Sequence, residues 1–175
     1  MQESIILPLT KSPHQSGRMG PVEVQDWYRG LVRAKELLHE LKPAKILVLA
    51  NVHITGEKGE TDLYLDALHT LCVPDEDILV VREGQETIEQ IEIALALAKR
   101  EGARLLIIST FLHYLRVRWL CRGEPVEHYI AWGMPRPREI LTDTLLTALF
   151  PLIDIMGGRE WFLEKVKARR LSGRF

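Results

Sequence analysis

The sequence predicts an α/β fold with a mainly parallel, doubly wound sheet of about five strands. Five short runs of branched apolar residues have the length and composition of β-strands. Three of them are continuously apolar, which is typical of parallel strands that helices cover on both faces. Amphipathic helical patterns lie between the runs. Strands that alternate with helices in this way form βαβ units stacked in three layers.

The predicted strands are Ser4–Leu9, Lys45–Ala50, Asp77–Val81, Arg104–Ser109 and Val126–Trp132. In the first helical stretch, apolar residues from Val24 to Leu41 recur at spacings of three and four. A shorter stripe runs from Leu65 to Cys72 and stops before Pro74, because proline cannot continue a helix.

The later helices are predicted from the same apolar spacing and from residues that end helices. A third apolar stripe covers Ile88–Ala98 and ends at Gly102, a residue type that favours the left-handed conformation of a helix C-cap. Additional C-terminal helices are predicted at Glu139–Ile155 and Arg159–Arg170, separated by a pair of glycines. The chain is therefore expected to extend its α/β core with helices that do not belong to the sheet.

The composition suits one globular domain of residues 1–175, with a core at 4–132 and a helical extension at 137–171. The formal net charge of −1 disfavours a general nucleic-acid binder, which usually carries a basic excess. No apolar run approaches the ~20 residues of a membrane span, and the N-terminus does not resemble a signal peptide. Cys72 and Cys121 are interpreted as small buried side chains in a reducing compartment, so a cytoplasmic location is predicted.

Polar residues follow the predicted strands at the points where they end. Open α/β sheets bind ligands in the crevice at the carboxyl ends of their strands, so these residues outline a candidate site. The candidates from this rule are Thr10, Ser12, Asn51, Glu83, Ser109 and Thr110. The glycine-containing stretch Thr10–Val22 is expected to be a ligand loop, and whether it closes over the site stays open.

The exit of the fourth strand has the strongest chemistry. Hydroxyls end the strand, and a helix start offers unpaired N–H groups and a positive dipole end to an anion. His113 and Arg116 are three residues apart and share a helix face, which pairs an acid–base group with a group that grips phosphate or carboxylate. The alternative is that Ser109 or Thr110 simply caps the helix while both charged side chains are solvated.

Other motifs narrow the choice of function. Thr87-Ile88-Glu89-Gln90 matches a capping box in which Thr87 would cap the third helix. The phosphate-binding patterns GxxxxGK[ST] and GxGxxG are absent, as is the GxSxG turn of α/β-hydrolases. The histidines and cysteines show no metal-ligand spacing, so no metal is expected.

Three motifs together resemble a known family. Cys72-Val73-Pro74 is similar to the family's Gly-Val-Pro before its third strand, and Glu86-Thr87-Ile88-Glu89-Gln90 to its Asn-Thr-x-Glu-Asn at a helix start. Ser109–Arg116 resembles its Thr-Ser-x-x-His-x-x-Arg motif, and the likeness covers roughly residues 4–132. These motifs are those of the YdcF-like family, a domain family of unknown function that also includes the SanA and ElyC envelope proteins.

The resemblance implies a Rossmann-like three-layer fold and a set of site residues. Either Arg29 or Arg33 matches the family's arginine in the first helix. The other matching site residues are Thr87, Glu89, Ser109, His113 and Arg116. Asn51-Val52 replaces the family's Gly-Gly, and Glu86 and Gln90 replace asparagines, which indicates a divergent member with an altered ligand or activity.

Three kinds of function fit these observations. The first is a transferase or hydrolase for a small anionic, phosphorylated or nucleotide-like substrate, with His113 and Glu89 as catalytic residues. The second is a non-catalytic module for a nucleotide or for S-adenosylmethionine, a ligand that the resemblance implies, as it implies a link to cell-envelope and peptidoglycan-precursor metabolism. The third is a largely structural or partner-binding role with the C-terminal helices as the surface, where an exposed apolar patch along Leu145–Ile155 would favour a homodimer. The expected ligand-binding residues are Ser109, Thr110, Arg116, Thr87, Glu83, Asn51, Thr10, Ser12 and Arg33.

Overall fold

A five-stranded, all-parallel sheet forms the middle layer of the part of the chain that the structure describes. The structure is a computed structural model and describes residues 2–10, 21–50, 58–84, 86–133, 137–162 and 164–165. The strands are β1 (Ser4–Pro8), β2 (Ala44–Leu49), β3 (Ile78–Val81), β4 (Arg104–Thr110) and β5 (Val126–Ala131). Both ends of every strand lie within one residue of the predicted run, so the predicted strands are confirmed.

Helices cover both faces of the sheet. They are α1 (Asp26–Glu40), α2 (Glu60–Thr70), α3 (Thr87–Glu101), α4 (Phe111–Leu120) and α5 (Pro137–Ile155). The first two pack on one face and the next two on the other, which confirms the predicted three-layer Rossmann-like class. Val24 precedes α1 and is exposed, so it does not begin the apolar stripe as predicted. Residues 159–162 and 164–165 are helical, and the predicted end of that helix at Arg170 lies outside the described residues.

The strand order is β3-β2-β1-β4-β5. The chain therefore builds outward from β1 in one direction, then returns to place β4 and β5 on the other side of β1. The order reverses between β1 and β4, and doubly wound folds bind their ligands in the crevice at such a point. Pro8 pairs with Ile108, and the Leu9 amide donates to the Ile108 carbonyl at 2.8 Å. The same register brings Thr10 next to Thr110 at the carboxyl edge.

Two apolar clusters fill the space between the layers. Leu106 and Ile108 of β4 belong to the cluster under α1 and α2, whereas Leu105 and Ile107 belong to the cluster under α3 and α4. Successive strand residues point to opposite faces. The end of β4 thus presents one hydroxyl residue to each side of the sheet.

The turn after α2 ends in a Schellman motif. The Val73 amide donates to the Leu68 carbonyl at 3.0 Å, and the Cys72 amide donates to the His69 carbonyl at 2.9 Å. Cys72 takes the left-handed conformation, with φ 58°, and is exposed, so the prediction of a buried side chain is wrong there. The reason is that a helix ending in this motif turns its C′ residue outward. Cys121 is buried as predicted, and burial raises its pKa to about 11.

We expect Cys72→Gly to stabilise the protein by about 1 kcal/mol, because a residue with a Cβ is strained in the left-handed region and glycine is not. Cys72→Ala is the matched control, since it removes the thiol and keeps the strain, and its free energy of unfolding should stay near that of the wild type. Urea denaturation of the three proteins checks this. Equal stability of the glycine and alanine variants would show that the backbone conformation carries no cost.

Candidate functional site

The candidate site is the crevice at the carboxyl ends of β1 and β4, which we call the switch-point crevice. It is formed by Thr10, Ser109, Thr110 and the first turn of α4. Ser109 and Thr110 are 1% and 7% exposed. Among the described residues, none forms a hydrogen bond with the buried hydroxyl of Thr10, Ser109 or Thr110. A buried hydroxyl without a partner costs about 1–3 kcal/mol, so these hydroxyls are candidates to bind a ligand at the carboxyl edge, with Ser109 on the α3–α4 side of β4 and Thr110 on the α1–α2 side.

The first turn of α4 opens into this crevice. Thr110 occupies the N-cap in an extended conformation, yet its side chain makes no capping hydrogen bond. Threonine at this position usually accepts a bond from the first turn and satisfies one of its amides. The alternative in which a hydroxyl simply caps this helix is therefore wrong for Thr110. The positive end of α4 instead offers its amides to an acceptor in the crevice.

Close behind the helix start, His113 and Arg116 contact each other. Nη2 of Arg116 lies 2.9 Å from Nε2 and 3.3 Å from Nδ1 of the imidazole. A guanidinium nitrogen can only donate, so the imidazole accepts through an unprotonated ring nitrogen. His113 is buried and Arg116 is half-buried. The alternative in which both side chains are solvated is thus wrong for His113, which is buried, and Arg116 contacts it.

The start of α3 differs from the predicted capping box by one residue. Glu86 is the N-cap, its side chain accepts from the Glu89 amide, and the Glu86 amide donates to Oε2 of Glu89 at 3.4 Å. Thr87 is the first helical residue and not the cap, and Gln90 donates to the Gly84 carbonyl at 3.2 Å. Two overlapping patterns, Thr-x-x-Gln and Glu-x-x-Glu, compete here, and the one with two carboxylates near the positive helix end forms.

The structure distinguishes the two arginines of α1. Arg33 pairs with Glu36 at 2.7 Å and lies 5.7 Å from the ring of Tyr129. The hydrogen bond to Glu36 raises the pKa of Arg33. Arg29 lies one turn nearer the carboxyl edge, with Nη1 3.5 Å from the Trp132 carbonyl. Arg29 is thus the α1 arginine beside the end of β5, and Arg33 is held by other partners.

Glu83, a further predicted residue, does not lie in the described crevice. Glu83 is exposed after the edge strand β3, which is two strands, or about 10 Å, from β1. Asn51 and Ser12 lie outside the described residues, as does most of the predicted ligand loop.

An aromatic pair at the same edge has no counterpart in the sequence prediction. The rings of Phe111 and Trp132 are stacked, with centroids 5.6 Å apart and planes 22° apart. They are 52% and 70% exposed. Both residues directly follow the end of a strand, and this position in the sequence is the signal that could have identified them as site residues. The sequence pattern instead assigns Trp132 to the strand, because aromatic residues are common in strands.

Other parts of the described structure show fewer features of a binding site. In the described part of the chain, no group of three or more His, Cys, Asp or Glu side chains is placed to hold a metal ion. A depression at the opposite edge of the sheet is lined by Glu3, Lys42, Lys45 and Asp77, charges of both signs, and Lys45 pairs there with Glu3 at 3.8 Å. None of the described helices is both long and apolar enough to traverse a membrane.

Comparison of the chain with family models, curated proteins and solved structures finds no match to any of them. The likeness to the YdcF-like family accordingly stays a prediction from the quoted motifs.

Proposed function

We propose that this protein binds a small phosphorylated or nucleotide-like molecule in the switch-point crevice, with the anion at the start of α4. One observation carries the proposal, namely the three buried hydroxyls that have no partner among the described residues, next to a helix start whose N-cap side chain does not cap. The oxygens of a phosphate at the sheet edge would accept from the hydroxyls that face it and from the amides of the first turn. Arg116 adds the positive charge.

Acid–base chemistry by His113 is part of this proposal. His113 is buried next to the start of α4, and an imidazole is the side chain that most often takes a proton from an attacking hydroxyl or water. Such a step suits a transferase or hydrolase for a small anionic substrate. Glu89 is engaged in the cap of α3, which leaves His113 as the acid–base group. A non-catalytic module for a nucleotide or S-adenosylmethionine is the alternative.

The family resemblance adds a link to cell-envelope or peptidoglycan-precursor metabolism, which we keep as an alternative setting for the same site. We place the protein in the cytoplasm, since Cys72 and Cys121 are free thiols, as a reducing compartment keeps them.

Variants of α4 test the proposal. We expect phosphate and nucleoside phosphates to raise the melting temperature of the wild type, and Arg116→Ala to weaken their binding by roughly 10-fold or more, because a charge-assisted contact is lost. Arg118→Ala is the matched control, since Arg118 lies on the same helix, is exposed and donates to the Tyr114 hydroxyl. A ligand that stabilises all three proteins equally would overturn the site.

His113→Ala separates the enzyme from the binding module. If the variant still binds nucleoside phosphates but no longer turns them over, the imidazole is catalytic. Unchanged turnover of these compounds would contradict catalysis by His113.

A second candidate function is self-association through α5. Its exposed Leu145, Leu149 and Leu152 recur at the spacings of paired helices. Between Thr144 and Met156 the one charged residue is Asp154, which is buried and paired with arginines. An apolar, uncharged face is complementary to itself, and two identical copies can cover it symmetrically. We infer that a second copy of this chain packs on this face.

Sedimentation velocity over a wide concentration range tests the dimer. We expect the wild type to dimerise and Leu149→Arg to stay monomeric, because a charge in the middle of the apolar face cannot be buried without a partner. Val24→Arg, at an exposed apolar residue away from α5, should dimerise like the wild type. A wild type that is monomeric at every concentration would contradict the dimer.

A further inference from the structure

The aromatic pair of Phe111 and Trp132 lies next to the anion position. Thr110 pairs with Ala131 between β4 and β5, and the two aromatic residues are the next residue along each strand. Neighbouring strands lie about 4.8 Å apart. The pair is therefore within one small molecule's length of the hydroxyls and amides proposed to hold an anion.

The two rings differ in how much of their surface is exposed. Phe111 begins α4 and stacks against Trp132, whose side chain is 70% exposed. Large exposed aromatics are costly to keep in water, and a stacked pair at a strand edge offers a flat apolar surface beside a polar crevice. Such a combination is what small-molecule sites use, with an apolar wall and a few polar groups that fix the orientation.

Charges of both signs lie near the aromatic pair, since Oδ1 of Asp26 lies beside Gly133, as does Nη1 of Arg29. Arg29 reaches the Trp132 carbonyl, and Arg116 lies on α4. The carboxylates of Glu86 and Glu89 lie at the start of α3, which packs against the end of β2 at Leu49. The start of α4 and the aromatic pair thus lie at the same end of β4, which is where an anion with an attached ring fits.

We propose that the ligand of the switch-point crevice carries a planar aromatic ring that stacks on Trp132, so that its class is a nucleoside phosphate and not a sugar phosphate. This inference rests on the proposed function, since the phosphate is the group held by α4. Stacking of a base on an aromatic side chain typically strengthens binding by roughly 10-fold to 100-fold. The ring would also explain an aromatic pair that the core of the fold does not use.

Titration calorimetry with three probes tests the inference: adenosine 5′-monophosphate, ribose 5-phosphate and inorganic phosphate. We expect the wild type to bind adenosine 5′-monophosphate about 10-fold or more tightly than ribose 5-phosphate. Trp132→Ala should lose this preference while its affinity for ribose 5-phosphate is unchanged. Trp132→Phe should keep most of the preference, because a smaller ring still stacks. Trp161→Ala, at another exposed tryptophan, is the control and should behave like the wild type.

The outcomes separate the two proposals. Equal affinity of the wild type for the two ribose-containing probes, or a preference that survives in Trp132→Ala, would overturn the aromatic ligand and leave the anion site standing. Failure of all three probes to bind would overturn the proposed function itself. Circular dichroism of Trp132→Ala should match the wild type, since the side chain is largely exposed.

Discussion

Removing the two hydroxyls at the end of β4 should stabilise the protein and impair its function at the same time. In the double variant Ser109→Ala, Thr110→Val, we expect the ligand-free melting temperature to rise by roughly 2–4 °C, which corresponds to about 1 kcal/mol. The reason is that both hydroxyls are buried without a partner among the described residues, and the replacements keep their shape. Binding of nucleoside phosphates should weaken by roughly 10-fold or more, because two donors to the anion are lost.

Thr147→Val provides the matched control. The Thr147 hydroxyl donates to the Leu112 carbonyl at 3.3 Å, so its removal breaks a bond. This variant should lose about 1 kcal/mol and bind ligand like the wild type. Thermal denaturation with and without phosphate distinguishes the two behaviours. A double variant that is less stable than the wild type would show that the hydroxyls are satisfied within the chain and are not reserved for a ligand.

The second large effect concerns Asp154, which attaches the C-terminal helices to the core. Its carboxylate accepts from Arg159 Nε at 2.7 Å, from Trp119 Nε1 at 3.0 Å and from Arg122 Nη1 at 3.0 Å. The side chain is 4% exposed, and these donors, led by Arg159, lower its pKa to about 2. We expect Asp154→Asn to lower the free energy of unfolding by about 2–3 kcal/mol, because two guanidinium groups lose their counter-charge.

The same carboxylate predicts a dependence on pH. Since its pKa is lower in the folded state than in the unfolded state, its contribution is complete above about pH 5 and is lost as the pH falls through 4 towards 2. The stability gap between the wild type and Asp154→Asn should therefore narrow over this range. Urea denaturation at several pH values measures it. Asp75→Asn, at an exposed residue, should change stability by less than about 0.5 kcal/mol. A stability difference between the wild type and Asp154→Asn that stays constant down to pH 2 would contradict the stabilising role of the Asp154 charge.

The sheet is predictable from the sequence because continuous apolar runs are a strong local signal, and the ends of these runs show which residues follow each strand. Continuous apolar runs placed β2 and β4 within one residue, and the rule that strands end in ligand crevices pointed to Ser109 and Thr110. The reversal of strand order between β1 and β4 is a tertiary property, so the sequence could not rank the end of β1 above that of β3. For this reason Glu83 was included among the candidates although β3 is an edge strand.

The α3 cap, the choice between the two α1 arginines and the role of Trp132 could not be predicted, because the local sequence pattern fits more than one structure. The α3 cap shifted by one residue because Glu86 and Thr87 both begin a plausible capping box, and only the helix start decides between them. Arg29 and Arg33 are one turn apart on one face of α1, so distinguishing them required the position of α1 relative to β5. Trp132 resembled a strand residue, and its stacking on Phe111 joins two segments that are distant in sequence.

The central claim is the location of the ligand, and amide chemical-shift mapping tests it most directly. Titration of ¹⁵N-labelled protein with adenosine 5′-monophosphate should shift the amides of Thr10, Ser109 and the first turn of α4 most, together with the side-chain N–H of Trp132. These groups surround the crevice between β1 and β4. Shifts concentrated at the opposite edge of the sheet, around Glu3, Lys45 and Asp77, or no shifts at saturating ligand, would contradict the account.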